Sequence, residues 1–349
     1  MHNDWDRVPE QPGVPDFDNL LAVLRREKPQ RPTLFEFFLN ARLYRRLTRS
    51  RFENSAAAWA WMRESMAAFH AAGYDYAPLL LPGCHFPTGQ AEQKASRSLN
   101  EGALIRDRAS FEAYPWPDPD RFDYSPLDIL AADLPAGMKF IVYGPGGVLE
   151  NVIAIAGFES LCYLIADDRP LAEDVFEHVG ARLVRYYRKC LEHKSVGAVI
   201  GNDDWGFKTQ TMLPVEDLRH FVFPWHKEIV RAAHATGRPA ILHSCGCLDA
   251  VMEDIIEDLR YDAKHSYEDA ILPVEQAYER FGSRIAVLGG IDVDFVCRSA
   301  PEDIYARAAA MLERSAARGG YALGTGNSVP EYVPDAHYFA LIRAALERR

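Results

Sequence analysis

The sequence has 349 residues, 48% hydrophobic and 26% charged, which is enough to bury a large core without disulfide bonds. Its formal net charge of −11 argues against nucleic acid or an anionic membrane surface as a partner, because both would repel it. No stretch approaches the roughly 18 apolar residues of a membrane span and the N-terminus lacks a signal-peptide pattern, so we expect a cytoplasmic protein acting with small molecules or another protein.

Residues 1–30 are rich in Pro, Asp and Gln and predict a loosely ordered N-terminal arm before a single domain at 31–349. In that domain, short β-rich runs alternate with longer amphipathic segments. Strands are predicted at 33–39, 74–81, 139–144, 197–202, 239–244, 261–266, 284–290 and 320–325. Eight strands, each followed by a helix, predict an α/β fold of the (β/α)8 TIM-barrel type. A doubly wound sheet is the alternative, disfavoured because no G-x-G-x-x-G follows an early strand.

The segment ILHSCGC at 241–247 carries one imidazole and two thiols at the end of an apolar strand. His243 and Cys245 are two residues apart, so on a strand they face the same side, towards the barrel mouth. Zinc favours this mixture of ligands, and Cys247 could join only if Gly246 turns the chain. The alternatives are a core histidine beside small buried thiols, or a redox pair, although C-G-C lacks the C-x-x-C spacing.

Other polar residues follow the predicted strands, where the chemistry of a barrel resides. Asp203 and Asp204 are the predicted catalytic acids, although either carboxylate could instead hydrogen-bond the loop backbone. His265 is the third predicted catalytic residue, with a structural hydrogen bond as the alternative. The predicted substrate-binding residues are Tyr143, Asn202, Trp205, Asp292 and Asn327.

Four segments between 197 and 335 resemble the uroporphyrinogen decarboxylase superfamily, and within it the branch of cobamide-dependent methyltransferases. They are NDDWGFKTQTMLP, ILHSCGC, KHSYEDAILPVEQAYERFGSRIAVLGGIDVDFVCRS and GGYALGTGNSVPEYVP. The resemblance implies a (β/α)8 barrel. The decarboxylases carry an Arg-Gln-Ala-Gly-Arg-type segment after the first strand and Gly-His-Gly at the last. Here these read TLFEFFLNARLYRR and Gly324-Thr325-Gly326, so porphyrinogen decarboxylation is not expected.

The resemblance also implies a zinc site, since the methyltransferase branch holds zinc with an H-x-C pair and a distant cysteine. His243 and Cys245 match the pair, whereas Asn327 stands where the distant cysteine would be. Glu331 is the predicted third ligand, with Cys247 and Cys84 as alternatives. The remaining alternative is a site that binds zinc weakly or not at all.

The function expected from this resemblance is transfer of a methyl group between a small-molecule donor or acceptor and a methylcobamide carried by a separate corrinoid protein. A separate protein is required because DAHYFA (335–340) lacks the glycine of the D-x-H-x-x-G cobamide signature. Zinc would act as a Lewis acid on the thiol or heteroatom. The sequence leaves the oligomeric state open, a homodimer included.

Three alternatives stay open from sequence. A metal-free methyltransferase would use tetrahydrofolate or a quaternary amine, with Trp205 and Phe207 as part of an aromatic cage. A lyase or decarboxylase would act on a non-porphyrin carboxylate held by a cation, for which Lys264, Lys208 and Arg106 are available. A barrel without catalytic activity would only bind a ligand.

Overall fold

The computed structural model describes residues 4–9, 13–52, 55, 58–89, 99–100 and 102–349. Within these ranges one curled parallel sheet contains seven strands that neighbour each other in chain order. The strands are β1 (Tyr76–Leu79), β2 (Lys139–Tyr143), β3 (Val196–Asn202), β4 (Ala240–His243), β5 (Ala263–His265), β6 (Ala286–Leu288) and β7 (Tyr321–Ala322). Because every neighbouring pair is parallel, all carboxyl ends of the strands meet at one edge.

Helices connect and cover the strands. They are α1 (Phe17–Leu24), α2 (Ala41–Thr48), α3 (Ala60–Ala72), α4 (Arg108–Ala113), α5 (Pro126–Ile129), α6 (Val148–Ala156), α7 (Phe158–Asp167), α8 (Arg169–Cys190), α9 (Val215–Asp217), α10 (Phe223–Ala235), α11 (Val274–Phe281), α12 (Val293–Arg298), α13 (Pro301–Ser315) and α14 (Asp335–Leu346). No single helix among the described residues has the length and hydropathy to cross a membrane; only α6 and α7 taken together do, and they meet at a 96° bend.

The local sequence accounts for these elements. All seven residues of β3 are buried, as expected for a parallel strand covered on both faces, where apolar residues form a continuous run. The longest helix, α8, begins where the Asp168 carboxylate accepts the Leu171 N–H, with Pro170 in its first turn. Before α10 the chain forms a π-helical turn at 218–222, and the first turn of α10 contains Pro224, which has no N–H to donate.

Seven of the eight predicted strands are confirmed, and the first differs. In the predicted strand at 33–39, only Leu34 forms a bridge, a parallel one to Leu323 beyond β7. On the other side, the Tyr76 hydroxyl of β1 accepts the Glu36 N–H at 2.8 Å and donates to the Glu36 carbonyl. A side chain therefore satisfies backbone groups that a neighbouring strand would otherwise pair.

The N-terminal arm is more ordered than predicted. Residues 17–24 form α1, whose Asp16 cap accepts the Asp18 N–H and whose Leu20, Val23 and Leu24 are fully buried. The spacing of these apolar residues is that of a helix, but the surrounding Pro, Asp and Gln led to the prediction of a loosely ordered arm. Residues 1–3 and 10–12 lie outside the described residues, and the proposed boundary near residue 30 stays a prediction.

Candidate metal centre at the carboxyl ends of the strands

Strand register brings the predicted polar residues together. Asn202 of β3 pairs with His243 of β4, which in turn pairs with His265 of β5. Residues paired across parallel strands point to the same face of the sheet. The two imidazoles consequently lie side by side, with ring centroids 5.0 Å apart.

Asp204, His243 and Cys245 form the candidate metal centre. One ligand atom from each lies within 4.8 Å of the other two. The Cys245 Sγ is 3.7 Å from His243 Nε2, and an Asp204 carboxylate oxygen accepts the Cys245 N–H at 2.8 Å. Gly246 permits this approach, since at its φ of +85° an added Cβ would clash with the backbone of Gly206.

Hydrogen bonds fix which nitrogen of His243 faces this centre. The carbonyl of Thr325 can only accept, so His265 donates to it through Nε2–H, at 3.2 Å. Burial lowers the pKa of His265 to about 3, so the ring is neutral and its Nδ1 accepts from His243 Nδ1–H at 2.8 Å. His243, whose pKa burial also lowers, is left with an unprotonated Nε2 directed towards Cys245.

Burial and a neighbouring carboxylate favour the thiol form of Cys245 over the thiolate, although one hydrogen-bond donor also faces the sulfur. Burial, and then the Asp204 carboxylate, raise the pKa of Cys245 to about 12. The Asn327 side-chain N–H donates to the Cys245 sulfur at 3.2 Å. A divalent cation would replace the thiol proton, as it does in sites where a coordinating thiol is deprotonated. Neutral imidazole, thiolate and carboxylate are ligands that zinc accepts, so the donor set fits this ion.

The two adjacent acids have different surroundings. Asp203 is fully buried and its oxygens accept the N–H groups of Leu149 and Glu150 at 3.0 and 2.9 Å, at the start of α6. It also contacts His226 Nε2 at 2.9 Å. These bonds saturate Asp203 with structural partners and leave Asp204 as the acid beside Cys245. Burial raises the pKa of Asp204.

A buried carboxyl group is connected to the centre through Thr325. Glu36 Oε1 accepts the Thr325 N–H at 2.6 Å, and burial raises the pKa of Glu36 to about 8. The Thr325 hydroxyl lies 2.8 Å from Glu36 Oε2 and 2.5 Å from the Asn327 carbonyl, yet it has a single hydrogen. A protonated Glu36 resolves this, because it donates to the Thr325 hydroxyl, which then donates to Asn327.

The predicted substrate-binding residues fall into two groups. Asn327 lies at Cys245, and the half-buried Tyr143 ring packs edge-on against Phe37, which in turn contacts His243. The other three make structural contacts. The Asn202 side chain accepts the Gly144 N–H, and the Asp292 carboxylate accepts the N–H groups of Phe295 and Asp269. Trp205 is fully buried against Phe223 and His226.

The predicted third metal ligands are not members of this group. The Glu331 side chain is 61% exposed and accepts the Ala41 N–H at 2.9 Å, so it caps the start of α2. Cys247 donates its N–H to the Phe207 carbonyl, and the thiol of Cys84 is buried, which raises its pKa. Asp204, which the sequence suggested as a catalytic acid, is the residue found beside His243 and Cys245.

Two site residues were missed from sequence. Glu36 occurs in the apolar run TLFEFFL, and a lone carboxylate in a buried strand is itself a signal that it is paired or protonated. Glu150 occupies the third position of α6, where its carboxylate accepts the Gly147 N–H at 2.9 Å. Burial, and then the charges of Asp203 and Asp204, raise the pKa of Glu150 to about 8.

Comparisons with known proteins extend over most of the chain. A family model described as uroporphyrinogen decarboxylase (URO-D) matches residues 105–348. The solved structure of a methyltransferase from Methanosarcina mazei is similar with a TM-score of 0.69 and 15% identity, over 96% of this chain and 99% of that one. At that identity the likeness is one of fold. A Listeria monocytogenes protein described as a vitamin-B12 independent methionine synthase covers 96% of this chain and 97% of its own, with 10% identity and a TM-score of 0.45. No curated protein matches the sequence.

Proposed function

The chain belongs to the uroporphyrinogen decarboxylase family, whose model spans residues 105–348, and from this premise we propose that it is a zinc-assisted methyltransferase. It would move a methyl group between a small molecule and the methylcobamide of a separate corrinoid protein in the cytoplasm. The proposed frame is a (β/α)8 barrel in which residues 33–36 take the position of the missing strand, supported by the bridge between Leu34 and Leu323.

The observation that carries the proposal is the grouping of Asp204, His243 and Cys245 within 4.8 Å at the carboxyl ends of β3 and β4. These three residues would hold the zinc, in place of the set that includes Glu331. A catalytic zinc site typically has three protein ligands and one open position. When bound, zinc supplies Lewis acidity that favours ionisation of a thiol or departure of a heteroatom.

The surrounding residues have distinct roles in this proposal. His265 is a positioning residue, since both its nitrogens are occupied and it orients His243. Asn327 and Tyr143 remain the proposed substrate contacts. Asp203 instead holds the start of α6 in place, because all its hydrogen bonds are to the protein framework.

The proposed corrinoid partner needs a surface near the strand ends. Three loops at this edge carry exposed aromatic side chains: Phe38 and Phe207 are each 40% exposed, and Tyr332 is 72% exposed. Exposed apolar groups around a cleft are typical of interaction surfaces. They support docking of the partner over the metal centre, where its cobalt could approach the substrate.

Metal analysis of protein purified without chelator or polyhistidine tag tests the centre. We expect about one zinc per chain in the wild type, and its loss in His243→Ala, Cys245→Ser and Asp204→Asn. The matched controls Cys247→Ser and Asp203→Asn change the neighbouring thiol and the neighbouring acid, and should retain zinc if folded. Retention of zinc in Cys245→Ser would contradict the proposed ligand set.

A methyl-transfer assay tests the reaction. Free methylcobalamin replaces the corrinoid protein, and thiols serve as acceptors, with loss of the methylcobalamin absorbance as the readout. Zinc-dependent demethylation that Cys245→Ser abolishes and Cys247→Ser retains would support the proposal. Zinc binding without methyl transfer to any thiol, or from any methylated donor to cob(I)alamin, would contradict it. Methyl transfer by a metal-free protein would favour the metal-free alternative.

A further inference from the structure

A cavity lies beside the metal centre, on the other side of β5. It has a volume of about 270 Å³, is open to solvent on one side, and is lined by the loops that follow β4 and β5 and by the end of α11. Apolar side chains such as Leu248, Met252 and Leu272 form much of its wall. Its size is just below that of typical drug-sized ligand pockets, so it suits a small molecule.

One wall of this cavity contains a buried ammonium group. Lys264 is 3% exposed, and its Nζ donates to the carbonyls of Ser266 at 2.6 Å and Ser244 at 3.4 Å. An ammonium carries three hydrogens, and these two carbonyls use two of them. Within the described parts of the chain, no carboxylate forms an ion pair with it. A buried charge without a counter-ion is costly, and burial lowers the pKa of Lys264 to about 8.

A second polar group of the wall also lacks a partner. The Tyr267 side chain is 6% exposed, and its buried hydroxyl makes no hydrogen bond to any described residue. The Lys264 Nζ lies 4.3 Å from the centre of the Tyr267 ring. Buried polar groups are hydrogen-bonded in the large majority of cases, so a hydroxyl without a hydrogen bond, close to an ammonium without an ion pair, indicates a binding role.

The remaining charges around the cavity define the ligand further. Arg280 forms an ion pair with Asp249, so the Asp249 carboxylate is not available to neutralise Lys264. Glu268 is half-buried and makes no ion pair with Lys264, and negative charge at Cys245, at Asp204 and then at Glu268 favours the protonated amine. A ligand that supplies one negative charge next to Lys264, with an apolar body along the Leu248 side, would complement these groups.

We propose that this cavity binds a small organic carboxylate, with its carboxylate oxygens on Lys264 Nζ and the Tyr267 hydroxyl and its apolar body against Leu248, Met252 and Leu272. The site shares β5 with His265 but is separate from the metal centre, and its occupation does not require zinc or methyl transfer. Failure of the proposed function would therefore leave this binding site untouched, and the reverse also holds.

Butyrate is the probe, and butyramide is its neutral control of similar shape. Ligand-observed NMR titration of the full chain should give saturable binding of butyrate and much weaker binding of butyramide. Lys264→Met should weaken butyrate binding at least tenfold, because a hydrogen bond to a charged group contributes about 1.5–3 kcal/mol. Tyr267→Phe should weaken it roughly twofold to tenfold. Lys208→Met, on an exposed loop, should leave it unchanged.

A second variant guards against a folding defect in Lys264→Met. Leu272→Trp fills the cavity and retains both polar groups, so it should abolish butyrate binding while thermal unfolding stays cooperative. Glu268→Gln should tighten binding, since it removes a nearby negative charge. Equal affinity for butyrate and butyramide, unchanged affinity in Lys264→Met, or no saturable binding by the wild type up to roughly 10 mM would overturn the proposal.

Discussion

Lys264 and His265 are adjacent in β5, and because successive strand residues face opposite sides, they belong to different environments. On the inner side, every nitrogen of His265 has a partner, and the hydrogen bonds continue to His243 and Thr325. On the outer side, the Lys264 ammonium lacks a counter-ion and the nearby Tyr267 hydroxyl lacks a partner among the described residues. The complete network on the inner side orients His243, a proposed metal ligand. The incomplete network on the outer side is suited to bind a small molecule.

The largest effect is expected from breaking the inner network. His265→Phe preserves the ring but leaves the Thr325 carbonyl and the His243 Nδ1–H without partners, at a cost of about 2–4 kcal/mol in the free energy of unfolding. Zinc affinity should also fall roughly 10- to 100-fold, as for other residues that orient a metal ligand. Denaturant unfolding and metal titration measure the two effects.

His226 provides a matched control for that variant. It is equally buried and contacts Asp203 and the Tyr261 hydroxyl at 2.9 and 2.7 Å, but it does not contact His243. His226→Phe should therefore lower stability by a similar amount and spare zinc affinity in the folded fraction. A similar fall in zinc affinity in both variants would mean that His265 has no specific positioning role.

The second prediction concerns the pH dependence contributed by Glu36. Its pKa is raised from 4.5 to about 8 in the folded chain, so the folded state retains a proton that the unfolded state releases between these values. The stability that Glu36 contributes is complete below pH 4.5 and is lost as pH rises towards 8, by on the order of 3 kcal/mol. Glu36→Gln should remove this slope, measured as the difference from wild type between pH 5 and 8; parallel curves would argue against a protonated Glu36.

On the outer side, the dependence of folding stability on pH has the opposite sign. The pKa of Lys264 is lowered from 10.5 to about 8, so protonation of this group disfavours folding below pH 8, and the penalty is relieved between pH 8 and 10.5. Lys264→Met should therefore be more stable than wild type by about 2 kcal/mol at pH 7, with the difference shrinking above pH 8. A variant clearly less stable at pH 7 would show that the ammonium is satisfied within the protein.

The smallest effect distinguishes two buried tyrosines. Tyr267→Phe should change stability by no more than about 0.5 kcal/mol, because its hydroxyl has no partner to lose. Tyr76→Phe should cost about 1–3 kcal/mol, since its hydroxyl bonds both backbone groups of Glu36. Chemical unfolding of both variants makes this comparison, and equal losses would indicate a partner for Tyr267.

The sequence was most informative where a single local pattern determines the structure. Apolar runs located β1 to β7, and the two-residue spacing of His243 and Cys245 predicted that both side chains face the same side. Asp204 could not be identified as their neighbour, because that requires the register of β3 with β4 and the close approach of Gly206 to Gly246. Such approaches depend on several elements at once.

Three predicted site residues make structural contacts instead of facing the metal centre, and they share a different cause. Asp203 and Asp292 carry the residue type that catalysis uses, but their oxygens accept backbone N–H groups at the starts of helices, which is an equally common use of aspartate. The Glu331 carboxylate likewise accepts a backbone N–H at the N-terminus of α2. Residue type limits which side chains could serve in the site. The hydrogen-bond partners of each side chain in the folded protein determine which of them do.

The bridge between Leu34 and Leu323 has a consequence for how the chain is made. Glu36 and its partner Thr325 are 289 residues apart, so at 5–20 residues per second the ribosome needs roughly 15–60 seconds to supply the second after the first. During that interval Leu34 and Phe35, both fully buried in the finished protein, have no partner beyond β7. Contacts at such sequence separation form late, and the first sheet-forming segment to emerge is therefore expected to be among the last to dock.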